Sequence, residues 1–353
     1  MTFRKLHLGF ALLAAIAACG VLASGYPPPT QGDWIARDFR FHTGEVLPEL
    51  KLHYATVGDP KGEPVLVLHG TAGSIASMLT PGFAGELFGP GQPLDASRYF
   101  LIITDAIGAG KSARPSDGLR ARFPRYDYDD MVQAQYRLLT EHLGVKHLRA
   151  VIGNSMGGMQ AWIWAGKHPG FVDIAVPMAC TPYGMSGRNW IMRRMLVEAI
   201  RRDPAYMDGN YTAQPPALKI AATFFGFATA GGNQGLYKRA PTSRQGDELV
   251  NERLAAPFNA DANDYIYQWE SSYDYDPSPG LDAITASVLA INAADDERNP
   301  PELGLLERAM QRVRNGRILL IPASPETSGH ATTGNARFYK EDLARILRDA
   351  PRL

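Results

Sequence analysis

The sequence predicts an α/β protein: a mostly parallel sheet flanked by helices, with a helical cap inserted between two of its strands. Three observations carry this reading. Continuous apolar runs at residues 64–68 (PVLVL), 99–104 (YFLIIT) and 148–152 (LRAVI) have the length and composition of strands buried on both faces. Helical patterns lie between these runs. From residue 183 to 283 the alternation stops, and helices and loops follow one another without a strand.

Taken in order, residues 1–25 (MTFRKLHLGFALLAAIAACGVLASG) begin with Arg4 and Lys5, continue with an apolar run over 8–18, and end in small residues. This is the build of a secretory signal, and the run is too short for a permanent membrane anchor. Ile16-Ala17-Ala18-Cys19 also has the form of a bacterial lipobox, in which residues 1–18 are removed and Cys19 carries the lipid. Cleavage near Ala23 or Gly25 is the other reading. Either way the sequence predicts an exported protein, periplasmic or held at the membrane through Cys19. Cys180 is then the one thiol of the folded part, and no internal disulfide forms.

Residues 26–32 (YPPPTQG) read as a proline-rich spacer. Segments 34–41 and 50–57 read as two strands joined through Gly44. Residues 128–143 form a helical pattern with Met131, Tyr136, Leu138, Leu139 and Leu143 near one face, stopped by Gly144. Further strands are expected at 172–178, 287–293 and 316–321. The core thus comprises residues 33–182 and 284–353, with the cap at 183–283. A cap in that place covers the carboxyl edge of the sheet, where open α/β sheets bind ligands; a peripheral helical layer is the alternative.

Composition narrows the function. The 353 residues are 45 % hydrophobic and 20 % charged, with 36 basic and 36 acidic side chains. A neutral chain offers no basic field for nucleic acid. Two cysteines exclude a disulfide scaffold and the common multi-cysteine zinc modules. Asp261, Asp264, Asp274 and Asp276 lack the density of a metal loop and read as capping or solvated residues. The glycines of Gly108-Ala109-Gly110-Lys111-Ser112 lack the spacing of a phosphate loop and read as a loop after the strand YFLIIT. No metal or cofactor is implied.

Gly153-Asn154-Ser155-Met156-Gly157 follows the strand LRAVI and precedes a helical pattern. Strand, G-x-S-x-G, helix is the context of a nucleophile elbow, whose tight turn excludes side chains two residues either side of the serine. A serine nucleophile needs a base, and the base an orienting acid. Among eight histidines, His330 stands on a loop after the last expected strand and can reach across the sheet edge. Asp295 and Asp296 end the strand SVLAINAA between them. The oxyanion hole is expected from the N–H groups of Thr71, in HGTAG after PVLVL, and of Met156. His69 reads as structural.

These segments resemble the homoserine O-acetyltransferase family of the α/β-hydrolase superfamily, over most of residues 38–345. AVIGNSMGGMQAWIWAGKHP (150–169) is similar to that family's nucleophile segment, FPRYDYDDMVQAQYRLLTEHLGV (123–145) to the helix before it, and NDYIYQWESSYDYD (263–276) to a cap segment. DERNPP (296–301) resembles the family's DWLFPP, whose aspartate is the triad acid; the resemblance thereby selects Asp296. It also implies dimers formed through the cap. Three departures stand out. The cap arginine that holds the homoserine carboxylate falls on Val197. Arg193 lies one turn earlier, and a fork displaced by about 6 Å is not expected to reproduce a bidentate grip. GHATTG replaces GHDAFL, and Glu297, Arg298 and Asn299 replace apolar residues. Acetyl-CoA is moreover a cytoplasmic donor. The sequence therefore favours a serine hydrolase acting on a small-molecule acyl ester through Ser155, His330 and Asp296. The alternatives are an O-acyltransferase using an acyl-CoA donor and a binding protein with a dead site. The cap aromatics (Trp190, Phe224, Phe225, Phe227, Tyr265, Tyr267, Trp269, Tyr273, Tyr275) read either as an acyl pocket or as cap core.

Overall fold

Eight strands lie in one sheet in the order β1-β2-β4-β3-β5-β6-β7-β8 in the computed structural model, which describes residues 25–353. They are β1 (Thr30–Arg40), β2 (Val46–Val57), β3 (Glu63–Leu68), β4 (Tyr99–Thr104), β5 (Leu148–Asn154), β6 (Val172–Met178), β7 (Ser287–Ala293) and β8 (Gly316–Ile321). Strand β2 is antiparallel to β1 and β4, and every pairing from β4 to β8 is parallel. The leader expected at 1–25, with Cys19, lies outside the described residues except for Gly25. No helix among the described residues is long and apolar enough to cross a membrane.

The strands are apolar throughout because both faces of the sheet are covered. In β3, Leu66 and Leu68 enter one core layer and Val65 and Val67 the other. Helices α1 (Tyr128–Arg137) and α2 (Met156–Lys167) cover the first face, where Trp162 and Trp164 are wholly buried. Helix α8 (Lys340–Asp349) covers the second through Leu343, Ile346 and Leu347. The helix expected over 128–143 is α-helical only to Arg137; Leu138–His142 closes as one π-helical turn. The wider turn keeps both Leu138 and Leu139 in the core before Gly144 reverses the chain at φ +67°. Strand β1 begins at Thr30, inside the spacer read from the sequence, and the prolines before it abut an edge strand.

Between β6 and β7 lie α3 (Gly187–Arg201), α4 (Pro216–Ala230), α5 (Asn233–Arg239), α6 (Ser243–Ala255) and α7 (Ala262–Glu270). They enclose a small core of their own from Leu196, Val197, Ile200, Leu218, Phe225, Ile266 and Trp269. The cap is fastened to the core by polar contacts from α7. The Asp264 carboxylate accepts from the Ser116 N–H and hydroxyl at 2.8 and 2.7 Å, and the Tyr267 hydroxyl donates to the Phe123 carbonyl at 2.7 Å.

One buried cation joins the end of the chain to the strand that carries the site. Arg149 of β5 donates to Asp173 of β6 at 3.0 Å and to the carbonyls of Leu347, Ala350 and Pro351 at 2.6, 2.9 and 3.1 Å, closing the carboxyl end of α8. Arg149→Met takes the buried cation from Asp173, leaving it His147 and the Leu353 N–H, and leaves these carbonyls without their donor. It is expected to cost about 3–5 kcal/mol of stability, read as a lowered urea midpoint.

Candidate active site

The loops at the carboxyl ends of β3, β5, β7 and β8 converge on Ser155. It sits between β5 and α2 at φ +54°, ψ −113°, a conformation that costs a non-glycine residue about 1–3 kcal/mol. Its N–H donates to the Met178 carbonyl at 2.8 Å, which holds the turn against β6. A Cβ on residue 153 would lie 2.1 Å from the Gly157 carbonyl oxygen, and one on residue 157 would lie 2.3 Å from that of Leu68. Only glycine fits at both, as the motif requires.

The serine hydroxyl lies 2.9 Å from His330 Nε2, and His330 Nδ1 lies 2.9 and 3.1 Å from the two oxygens of Asp296. An ionised carboxylate only accepts, so Nδ1 carries the proton and Nε2 is free to accept from the serine. The Asp296 side chain is fully buried and also accepts from the Arg298 N–H (2.8 Å), the Asn299 N–H (3.2 Å) and the Asn299 amide (3.1 Å). Asp295, the neighbouring candidate, instead accepts from the Thr327 hydroxyl at 2.7 Å.

Burial opposes ionisation of Asp296, but the facing imidazole and these donors outweigh it and hold the carboxyl below its ordinary range. For His330, burial is the largest influence and favours the neutral ring. Asp296 opposes it, while the nearby cations Arg298 and Arg193 reinforce it, and the balance lies below the ordinary imidazole value.

Of the two N–H groups expected to form an oxyanion hole, that of Met156 follows the serine directly, and that of Thr71 follows Gly70, which passes beside it. A Cβ built on Gly70 would be 3.4 Å from that of Ser155. The N–H groups of Thr71 and Met156 donate to no acceptor among the described residues. His69 is structural: it is buried, accepts the Ala106 N–H at Nε2 (3.1 Å) and donates from Nδ1 to the Gly70 carbonyl (2.8 Å). Burial keeps it neutral, which this pattern requires.

Several residues of the site escaped the sequence reading. Gln268 of α7 accepts from the Ala72 N–H at 2.9 Å and donates to the Gly108 carbonyl, tying the cap to the oxyanion loop. Asn299 braces Asp296, and its amide also donates to the Ala179 carbonyl at 2.8 Å. The link between α4 and α5, Gly231-Gly232, lies against both the acid and the histidine loops. A Cβ on Gly231 would be 1.9 Å from the Asp295 carbonyl oxygen, and one on Gly232 would be 2.8 Å from the Gly329 nitrogen. The two consecutive glycines are visible in the sequence, but their positive φ and what they touch are not.

The cap aromatics divide. Phe225, Tyr265 and Trp269 belong to the cap core, Tyr275 to the main core, and Phe224 and Tyr273 are exposed. Trp190, Tyr267 and Tyr273, with Trp269 and Val197, line a cavity of about 500 Å³ at the seam of cap and core. Arg193 borders it, buried, with its guanidinium 4.6 Å over the Trp269 ring.

Among the described residues, one histidine–carboxylate group has ligand atoms close enough to share an ion: His42, Asp127 and Asp130, within 4.8 Å. Those atoms are already engaged. Asp127 and Asp130 cap α1 reciprocally, and His42 Nδ1 donates to Asp130 at 2.7 Å. Asp261 caps α7.

A family model described as the alpha/beta hydrolase fold matches residues 63–307. A homoserine O-acetyltransferase from Haemophilus influenzae is 32 % identical over 275 residues, which are 68 % of this chain and 74 % of that protein. The chain belongs to the α/β-hydrolase family, in its homoserine O-acetyltransferase branch. Two solved structures share its fold with a TM-score of 0.78 at 21 % identity: an acetylester hydrolase from Corynebacterium glutamicum and a homoserine O-acetyltransferase from Bacillus anthracis. Each similarity covers 91 % of this chain, with 96 % of the hydrolase and 98 % of the transferase. The protein is thus an α/β-fold enzyme of the esterase or acyltransferase kind.

Two outcomes follow from this geometry. A base must be neutral to take a proton, so a depressed His330 keeps the site active into mild acid. The acidic limb of the kcat/KM profile is expected to have its midpoint below about 6.5, the ordinary imidazole value. Gly231→Ala forces the acid loop to move and is expected to lower kcat about ten- to hundredfold in a protein whose circular dichroism is unchanged.

Proposed function

We propose that this enzyme is an exported serine hydrolase that cleaves an ester or related acyl bond. The Ser155 oxygen attacks the acyl carbon as His330 Nε2 takes its proton, and the N–H groups of Thr71 and Met156 receive the oxyanion. Collapse of the tetrahedral adduct breaks the acyl–oxygen bond, and His330 returns the proton to the departing alcohol. Water, deprotonated by His330, then attacks the acyl-enzyme and releases the acid and free Ser155. Asp296 holds the ring in the required tautomer and stabilises the imidazolium.

The observation that carries this reading is the unbroken chain of contacts from Asp296 through His330 to Ser155, which sits at the start of α2 with the Gly70 loop beside it. It also argues against a dead site. Release to water rather than to an amino alcohol is favoured by Val197, an apolar side chain where the resemblance places the carboxylate-gripping arginine. It is favoured too by the leader-like residues 1–25, which point to a periplasmic or lipid-anchored enzyme away from cytoplasmic acetyl-CoA. Acyl transfer from an acyl-CoA is the second reading, supported by the branch of the family. The cap leaves Ile191, Met195, Ile220 and Phe224 more than half exposed, which supports pairing of two copies through this face.

The purified enzyme is expected to hydrolyse 4-nitrophenyl acetate, with at least about a thousandfold loss in Ser155→Ala. Thiol release from acetyl-CoA is expected to be unaffected by L-homoserine. Release that requires both homoserine and Ser155 overturns hydrolysis in favour of transfer.

A further inference from the structure

A groove of about 880 Å³ opens between α4, α6 and the loop that carries His330. Phe227, Leu236 and Phe258 give it apolar walls. Its charged lining is Lys238, Arg239, Arg253 and Arg298, without a carboxylate. Lys238 pairs with Glu326 at 2.7 Å. The side chains of Arg239, Arg253 and Arg298 have no carboxylate within ion-pair distance among the described residues.

Arg298 forms the inner end, two residues from Asp296. Its Nε donates to the Thr229 hydroxyl at 3.0 Å and its guanidinium stacks 4.7 Å from the Phe225 ring. Its two Nη groups have no acceptor among the described residues. Behind it, Phe225 meets Trp269 edge-on at 4.5 Å, and Trp269 carries a second guanidinium, that of the buried Arg193. Arg193 has neutral partners only, Asn189 Oδ1 and Ser272 Oγ, both at 3.3 Å. Two cations therefore stack on one aromatic pair beside the triad, and Asp296, the carboxylate whose charge acts on Arg298, is committed to His330. Burial, then repulsion from Arg193, draws Arg298 down to about 10. Neighbouring cations drawn partly out of water are relieved by an anion, and guanidinium forks fit carboxylate and phosphate oxygens.

We propose that the groove binds an anionic amphiphile, and that the ester cleaved at Ser155 bears a carboxylate or phosphate that reaches Arg298, its apolar part lying along Phe227 and Phe258. The substrate half of this statement rests on the hydrolase reading above. Neither arginine occupies the position of the transferases' carboxylate-binding residue, which is Val197 here. By the same resemblance Arg298 replaces a leucine.

The test pairs turnover with binding. The kcat/KM of mono-4-nitrophenyl adipate is compared with that of neutral 4-nitrophenyl hexanoate. Octanoate, octyl phosphate and 1-octanol are titrated calorimetrically. Each measurement uses the wild type, Arg298→Leu and Arg253→Gln, the last being an exposed change that leaves the stack of Arg298, Phe225, Trp269 and Arg193 alone. The wild type is expected to prefer the anionic ester about tenfold, and to bind an anionic octyl compound about tenfold more tightly than octanol. Both preferences shrink with added salt, fall towards unity in Arg298→Leu, and fall part-way in Arg253→Gln. Octanoate binding more tightly than octyl phosphate assigns the anion as a carboxylate, and the reverse order as a phosphate. Equal binding of all three compounds, or anion binding indifferent to both substitutions, overturns the groove. Ser155-dependent hydrolysis without preference for the adipate overturns the substrate assignment and leaves the hydrolase reading standing. Arginine-dependent anion binding without any Ser155-dependent hydrolysis removes the hydrolase reading instead.

Discussion

Asp296 is a fully buried carboxylate, and the architecture of the site follows from the need to keep it ionised. A buried charge is tolerated only when paired and hydrogen-bonded. Here the donors are a histidine from the loop after β8, two backbone N–H groups of its own loop and the Asn299 amide. Each donor fixes a different piece of chain. Asn299 extends the brace to the end of β6 through the Ala179 carbonyl, so the acid, the histidine and the strand beside the serine share one framework. The strained backbone at Ser155 is sustained by the same frame, because the Met178 carbonyl that accepts its N–H precedes Ala179 directly. Movement of any of these loops is therefore felt by all three side chains.

The cap is part of that framework rather than a cover laid on it. Gly231-Gly232 presses backbone against backbone on the loops of Asp295 and Gly329, and Gln268 bridges the Ala72 N–H and the Gly108 carbonyl. Through these contacts one insertion touches the loops of Asp296, His330 and Thr71 at once. Its aromatic core also carries Arg193 and Arg298 to positions where their charge reaches His330. The carboxylate and the two arginines act in opposition on the imidazole: Asp296 favours its protonated form, while burial and the arginines favour the neutral one and prevail. A ring so balanced suits the base that the proposed hydrolysis requires.

The scaffold was legible in the sequence because its signals are local. Strands buried on both faces write themselves as continuous apolar runs, and the elbow as two glycines around a serine. His330 followed from its place beyond the last strand. The choice of Asp296 over Asp295 needed the resemblance, because adjacent aspartates at a strand end have the same local signature. What separates them is which one turns inward, and Thr327, thirty-odd residues later, takes the other. The π-helical turn at Leu138–His142 was hidden because the pattern of apolar residues continues through it. Gln268, Asn299 and the glycine pair were hidden for a further reason. Their importance lies wholly in what they meet across the fold, and a glutamine in a helix or an asparagine in a loop says nothing of its partner.

The choice between water and an alcohol as acyl acceptor lies outside the triad, since the same three groups in the same geometry serve both reactions. An acetylester hydrolase and a homoserine O-acetyltransferase match this fold equally well, so the scaffold leaves the question to the walls of the site. There, by the resemblance, the chain departs from the transferases: Arg298 stands where they have a leucine, and the apolar Val197 where they have an arginine. A transferase must seat its acceptor firmly enough to outcompete water, and an amino acid is seated chiefly through its charges. With the resembled arginine gone, an acceptor would have to be held by groups one turn away, or enter from the groove beside Arg298. If the anionic group instead belongs to the ester, the same arginines orient the scissile bond. Water then needs no site of its own, because it is in excess.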